Sequence, residues 1–165
     1  MITVVSDTHG RTGHRLAGRT LDAVREAALV VHAGDFCTEA VLDAFEAESA
    51  AFAGVVGNND TPGVRERLPE TRVVEHGGVR LAVAHGHEHT DTSLALFGRQ
   101  SNADLVVVGH SHRPGFDYLG EVPVLNPGSH ADPRWYEPAH AELHTDPLRG
   151  ELVRPDGSVV ESFAV

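Results

Sequence analysis

Five short apolar runs in this chain each end in residues able to ligate a metal: ITVVSDTH, LVVHAGD, AFAGVVGNND, VRLAVAHGH and ADLVVVGHSH. A run that is apolar without alternation, rich in β-branched residues and only a few residues long fits a strand buried on both faces. Its polar residues are then confined to its end. In sheets of this kind ligands bind outside the carboxyl ends of the strands. The pattern predicts that Asp7, His9, Asp35, Asn58, His85, His110 and His112 converge along one rim, although they span more than a hundred residues of chain.

With 165 residues, 41% of them hydrophobic, the chain has the length of one well-buried domain, expected to cover 1–165. It opens in a strand-like run without a basic leader, and no apolar run reaches the roughly 20 residues of a membrane-spanning helix, so a soluble, cytoplasmic protein with no membrane partner is expected. Cys37 is the only cysteine, which excludes an intramolecular disulfide, a zinc ribbon and a CxxC redox pair. The 24 acidic residues outnumber the 13 basic ones, all of them Arg, for a net charge of −11. This balance argues against a nucleic-acid backbone as partner, because such binding relies on Lys and Arg to neutralise phosphates. It fits a halophilic, salt-rich setting, where self-repulsion is screened within roughly 3 Å at 1 M salt. GC-rich codon usage accounts equally well for the missing lysine, but not for the excess acid.

Leu16–Ala28 carries apolar residues at helical spacing, Thr38 is placed to cap a second helix with Val41, Leu42 and Phe45 on its inner face, and a third helix is expected over Thr92–Gln100. Gly77-Gly78 and Asp156-Gly157 are two-residue hairpin signals. The carboxyl end is expected to form a second, largely antiparallel sheet, and the Pro-rich stretch from Pro123 to Pro138 to be loop.

Carboxylate, imidazole and amide donors without a thiolate suit Mn, Fe, Zn, Co or Ni better than a soft metal. With two such ions roughly 3.5 to 4 Å apart, a bridging water becomes hydroxide-like and attacks a phosphoester, and both ions clamp the phosphoryl oxygens. The order DxH, GD, GNND, HGH, GHSH, carried by Asp7–His9, Gly34-Asp35, Gly57–Asp60, His85–His87 and Gly109–His112, resembles the calcineurin-like metallophosphoesterases. The short length and Asn126-Pro127-Gly128-Ser129 point to their small single-domain prokaryotic phosphodiesterase branch.

That resemblance implies a four-layer α/β/β/α sandwich of two mixed sheets flanked by helices. It implies Asp7, His9 and His112 around a first metal, Asn58, His85 and His110 around a second, and Asp35 bridging them. Mn or Ni is the implied pair, the substrate is a small phosphoester, and a homodimer is compatible with it. Asn59 departs from the pattern, since larger phosphatases place a His there to assist the leaving group and the small branch a Cys. Asn cannot release a full proton, which favours activated or aryl-like diesters or proton delivery by another group, with His87 the first candidate and Asp60 the second. A relative of this fold in the retromer coat is a scaffold that has lost part of its ligands. A metal-binding scaffold is therefore the rival reading, and a phosphomonoesterase the third.

His14, His76, His130, His140 and His144 lie outside the strand-end clusters and read as surface or satisfied core residues; His32 reads as buried or as a support to the ligands. Arg11 and Arg113 each follow a ligand cluster and fit either a planar fork on a phosphate oxygen or a surface ion pair.

Overall fold

The computed structural model describes residues 1–165. In chain order the elements are β1 (Ile2–Val5), α1 (Gly18–Glu26), β2 (Leu29–His32), α2 (Glu39–Glu48), β3 (Phe52–Gly54), α3 (Pro62–Arg67), β4 (Thr71–His76), β5 (Val79–Ala84), α4 (Asp91–Gln100), β6 (Leu105–Val107), β7 (Gly115–Leu119), β8 (Val122–Asn126), β9 (His140–Thr145), β10 (Leu148–Val153) and β11 (Val159–Ala164). They form two mixed sheets, β11-β10-β9-β1-β2-β3 and β4-β5-β6-β8-β7. Strands β1, β2 and β3 run parallel, as do β5, β6 and β8.

The apolar runs are buried on both faces because each strand lies between two layers. Ile2, Val4, Leu29, Val31, Leu81, Val83, Leu105 and Val107 alternate inward to a core shared by the two sheets. Their neighbours Val5 and Val30 turn outward to the helix layer, against Val24, Val41, Leu42, Phe45 and Val64. Ala82 and Val106 face Leu94 of α4 on the other side. Helices therefore flank two face-packed sheets, the expected α/β/β/α arrangement.

Three local expectations need correction, and one helix goes beyond them. The carboxyl-terminal strands do not build a sheet of their own: β9 pairs antiparallel with β1, and β10 and β11 follow. That position gives β1 a backbone partner on its open side and adds Ala141, Leu143, Leu152 and Phe163 to the shared core. Pro123 lies within β8 instead of in a loop. It faces Tyr118 of β7 and precedes the register with β6, which begins at Val106↔Val124, so its missing N–H removes no bond on that side. Residues 127–139 do lack helix and strand. Thr38 stands at the N-cap of α2, but its hydroxyl donates to the Arg11 carbonyl at 2.8 Å and makes no capping bond. Helix α3 was not foreseen, since six residues are too few to show a period; Thr61-Pro62, with Pro in the first turn, was the available signal. The β4–β5 hairpin turns on Gly77-Gly78 as expected, whereas β10–β11 turns at Asp156-Gly157 through a longer loop, residues 154–158, between the paired Val153 and Val159.

Candidate metal centre

The carboxyl ends of β1, β2, β3, β5 and β6 meet at one edge, and the turn after each strand aims its polar residues there. Five of the residues concerned adopt the left-handed region: Asp7 (φ 53°), His9 (φ 47°), Asp35 (φ 62°), His110 (φ 66°) and His112 (φ 59°). Asp and His tolerate this conformation better than most non-glycine residues, yet it remains costly and clusters at functional sites. It turns the chain back sharply enough for both members of Asp7-x-His9 to face the same cluster. Gly57 and Gly109 admit the close approach this requires, because a Cβ would lie 2.1 Å from Asp35 Oδ1 at the first and 2.0 Å from Ser6 Oγ at the second.

Around Asp7 the donors are held but not used up. Asp7 Oδ2 accepts from Ser6 Oγ at 2.7 Å and from the His110 amide at 2.9 Å. Its Oδ1 is buried without a hydrogen bond, as are His9 Nε2 and His112 Nε2. These three atoms lie within 4.8 Å of one another, with His112 Nε2 3.4 Å from Asp7 Oδ1. His112 Nδ1 bonds the Asp132 carbonyl, which leaves Nε2 as the lone-pair nitrogen facing Asp7.

A second group adjoins the first. His85 Nδ1 bonds the Ala33 carbonyl at 2.7 Å. Its Nε2 lies 3.0 Å from Asn58 Oδ1, which is also 3.1 Å from His110 Nδ1. Asp35 lies between the groups, its Oδ2 3.3 Å from His9 Nε2 and 3.4 Å from His85 Nε2. Asn59 fixes that carboxylate with its amide N–H on Oδ1 at 2.8 Å and its side-chain Nδ2 on Oδ2 at 2.7 Å. All seven expected ligand residues are thus brought together.

The electrostatics call for a cation. Asp7 and Asp35 are buried with no arginine beside them, and imidazoles are their only ion-pair partners. The nearby carboxylates of Asp35 and then Asp7, 3.3 and 3.9 Å from its Nε2, raise His9 to about 9, against the pull of burial. For His85 burial acts downward, but Asp35 and Asp7 outweigh it and its pKa is raised. Asp35 is held well below the ordinary carboxylate range: burial opposes this, and His85, His9 and Asn59 prevail. Buried like-charged carboxylates with unpartnered imidazole nitrogens suit a divalent ion, since ligands bonded at about 2.1 Å to one metal stand roughly 3 to 3.5 Å apart.

The other expected residues divide. The His87 ring centroid lies 5.4 Å from that of His85 and 6.2 Å from that of His110, and its Nδ1 is buried without a partner. Asp60 is tied up, because its carboxylate accepts from the backbone amides of Asp35, Cys37 and Gly57 at 3.2, 2.7 and 2.7 Å. Burial raises its pKa. Arg113 and Arg11 form no ion pair. Among supports not foreseen, Arg65 of α3 donates to the carbonyls of Gly57, Asn58 and Asp60, and Ser129 Oγ donates to the Asp7 carbonyl at 2.7 Å. His32 faces the helix layer, stacks on Phe36 at 3.7 Å and bonds Thr8 Oγ1 at 2.9 Å, between Asp7 and His9. Its position inside an apolar run was the only hint.

The family model of the calcineurin-like phosphoesterase superfamily domain matches residues 1–146. A protein of Methanothermobacter thermautotrophicus named "Probable metallophosphoesterase" is 32% identical over 99% of this chain and 97% of its own. A phosphodiesterase of Methanocaldococcus jannaschii is 28% identical over 77% of this chain and 82% of its own. Among solved structures, wild-type Vps29 complexed with Zn2+ from Entamoeba histolytica superposes with a TM-score of 0.72 at 24% identity, covering 99% of this chain and 97% of that one.

Proposed function

The chain belongs to the calcineurin-like phosphoesterase superfamily, and on that premise we propose that it is a binuclear metal-dependent phosphodiesterase acting on a small phosphoester. The observation that carries this reading is the set of buried donors without partners, Asp7 Oδ1, His9 Nε2 and His112 Nε2, beside an Asp35 carboxylate shared with His85. Asp7, His9 and His112 would hold one divalent ion, Asn58, His85 and His110 a second, and Asp35 both, with Mn or Ni the pair implied by family. When bound, the ions supply a Lewis acid for the phosphoryl oxygens and an activated water.

The protein's own contribution is positioning. Asn59 clamps Asp35, the Asp132 and Ala33 carbonyls orient His112 and His85, and Ser6 with the His110 amide hold Asp7. Asn59 spends its side-chain N–H on Asp35 and is no acid, so His87, on the same rim, is the group suited to protonate the leaving oxygen.

Hydrolysis of bis(4-nitrophenyl) phosphate by chelator-stripped protein, before and after addition of Mn2+ or Ni2+, tests the reading. Turnover should depend on metal, and Asp35→Asn should lower it by on the order of 10³-fold, as for loss of a main electrostatic group. The likeness to Vps29 favours one alternative, a metal-binding scaffold. Metal uptake with no turnover under any metal or salt would establish the scaffold in place of the enzyme.

A further inference from the structure

Beside the first ligand group lies a cavity of about 500 Å³ lined by His9, Gly10, Arg11, Cys37, Thr38, Asn59 and Thr61. It shares His9 with the cluster and Asn59 with the Asp35 clamp, so a phosphoester on the metals would extend one of its ester groups into it.

Its charge sets this cavity apart. In a chain of net charge −11, four other surface cavities each carry at least one carboxylate in their walls: Asp91, then Asp91 with Asp117 and Glu161, then Glu75 with Asp104, and Glu151. The cavity at the metal centre has none, and with His9 neutral as a metal ligand its one formal charge would be the guanidinium of Arg11. Six of the thirteen arginines, Arg19, Arg25, Arg65, Arg67, Arg80 and Arg154, are drawn into ion pairs with carboxylates; Arg11 is among the seven that are not, and the one of these that lines this cavity. Its backbone is tethered, since Thr38 Oγ1 donates to its carbonyl at 2.8 Å. Thr61 also belongs to the lining, and its Oγ1 is buried with no hydrogen-bond partner.

We propose that this cavity is an anion-binding subsite, in which Arg11 receives a carboxylate or second phosphate on the ester group that the substrate retains. The substrate class narrows to phosphodiesters carrying a further negative charge. Arg11 supplies the planar two-donor fork that a carboxylate or phosphate accepts. The inference rests on the hydrolase reading above and deepens it.

Three 4-nitrophenyl phosphodiesters separate the possibilities, their second ester a propyl chain ending in carboxamide, carboxylate or phosphonate. With the metal-loaded protein at low salt, the anionic esters should exceed the carboxamide in kcat/KM by about tenfold, mostly through KM, as one charge-assisted bond implies. Whichever anionic ester gains more identifies the natural group as carboxylate or phosphate. Arg11→Gln should bring the ratio to about one, Arg11→Lys should restore part of it, and Arg149→Gln, on another cavity, should leave it unchanged. Equal kcat/KM for all three esters, or a preference surviving Arg11→Gln, would overturn the subsite while leaving the hydrolase intact. Failure to cleave any ester would remove the hydrolase reading and the subsite with it.

Discussion

The molecule buries imidazole against carboxylate in two places and satisfies only one of them. Away from the rim, His140 bonds Thr20 Oγ1 at 3.0 Å through Nδ1 and Glu142 Oε1 at 3.1 Å through Nε2. Arg19 grips the same carboxylate as a fork, Nε to Oε1 at 2.8 Å and Nη2 to Oε2 at 2.6 Å. At the rim, two carboxylates and four imidazoles meet without any arginine, and three of their atoms are left unpartnered. His140-x-Glu142 has the same look in sequence as Asp7-x-His9, yet one is closed by its own counter-ion and the other is built to receive one. A buried cluster of ligand-type residues therefore signals a metal by what it lacks: a positive partner for its charge and bonds for its lone pairs.

The contrast can be broken most directly at the rim. A divalent ion at about a thousandfold its Kd stabilises the folded state by about 4 kcal/mol, or roughly 8 to 16 °C in Tm for a chain of this size. Asp7→Asn should erase that rise. A full metal-induced rise surviving in Asp7→Asn would mean that the ion does not sit at the rim.

Glu142→Gln should act in the opposite way. It leaves Arg19 paired with Glu26 alone and costs about 2 kcal/mol, roughly 4 to 8 °C, with the metal-induced rise intact. Thermal unfolding with and without Mn2+ reads both variants.

A smaller effect separates the two clusters by pH. Burial opposes ionisation of Glu142, but His140 and Arg19 hold it down at about 2 against its ordinary 4.5. Its contribution is complete above 4.5 and is lost as pH falls toward 2. His9 is raised from 6.5 to about 9, so in metal-free protein its contribution is complete below 6.5 and is lost as pH rises through 9. Urea unfolding across pH should show both limbs, with Glu142→Gln flattening only the acid one. The smallest expected change is a gradual gain in Tm from dilute buffer to molar KCl, as salt screens a net charge of −11. A flat or falling Tm would dismiss the salt-adapted reading of the surface.

Much of this was legible in the chain. Uninterrupted β-branched runs betray strands covered on both faces, and polar residues at their ends betray the rim, so Asp7, Asp35 and His112 were readable together despite their separation. The closing strands were not. HAELHT and LRGELV fit an antiparallel pair anywhere, and only the open side of β1 and room in the shared core decide where they dock. Asp60 also looked available in the sequence as a proton donor, but three backbone amides occupy it. Cavity charge was equally hidden, because whether Arg11 meets a carboxylate depends on which loops the fold lays beside it.

Local order along the chain thus determined which residues reach the strand ends, because the alternation of apolar and polar side chains is a property of neighbours in sequence. Tertiary structure alone decided which of those residues find a partner and which are left open. Hydrogen bonds, ion pairs and burial are settled between segments more than a hundred residues apart, as between Arg19 and Glu142 or Asp7 and His110.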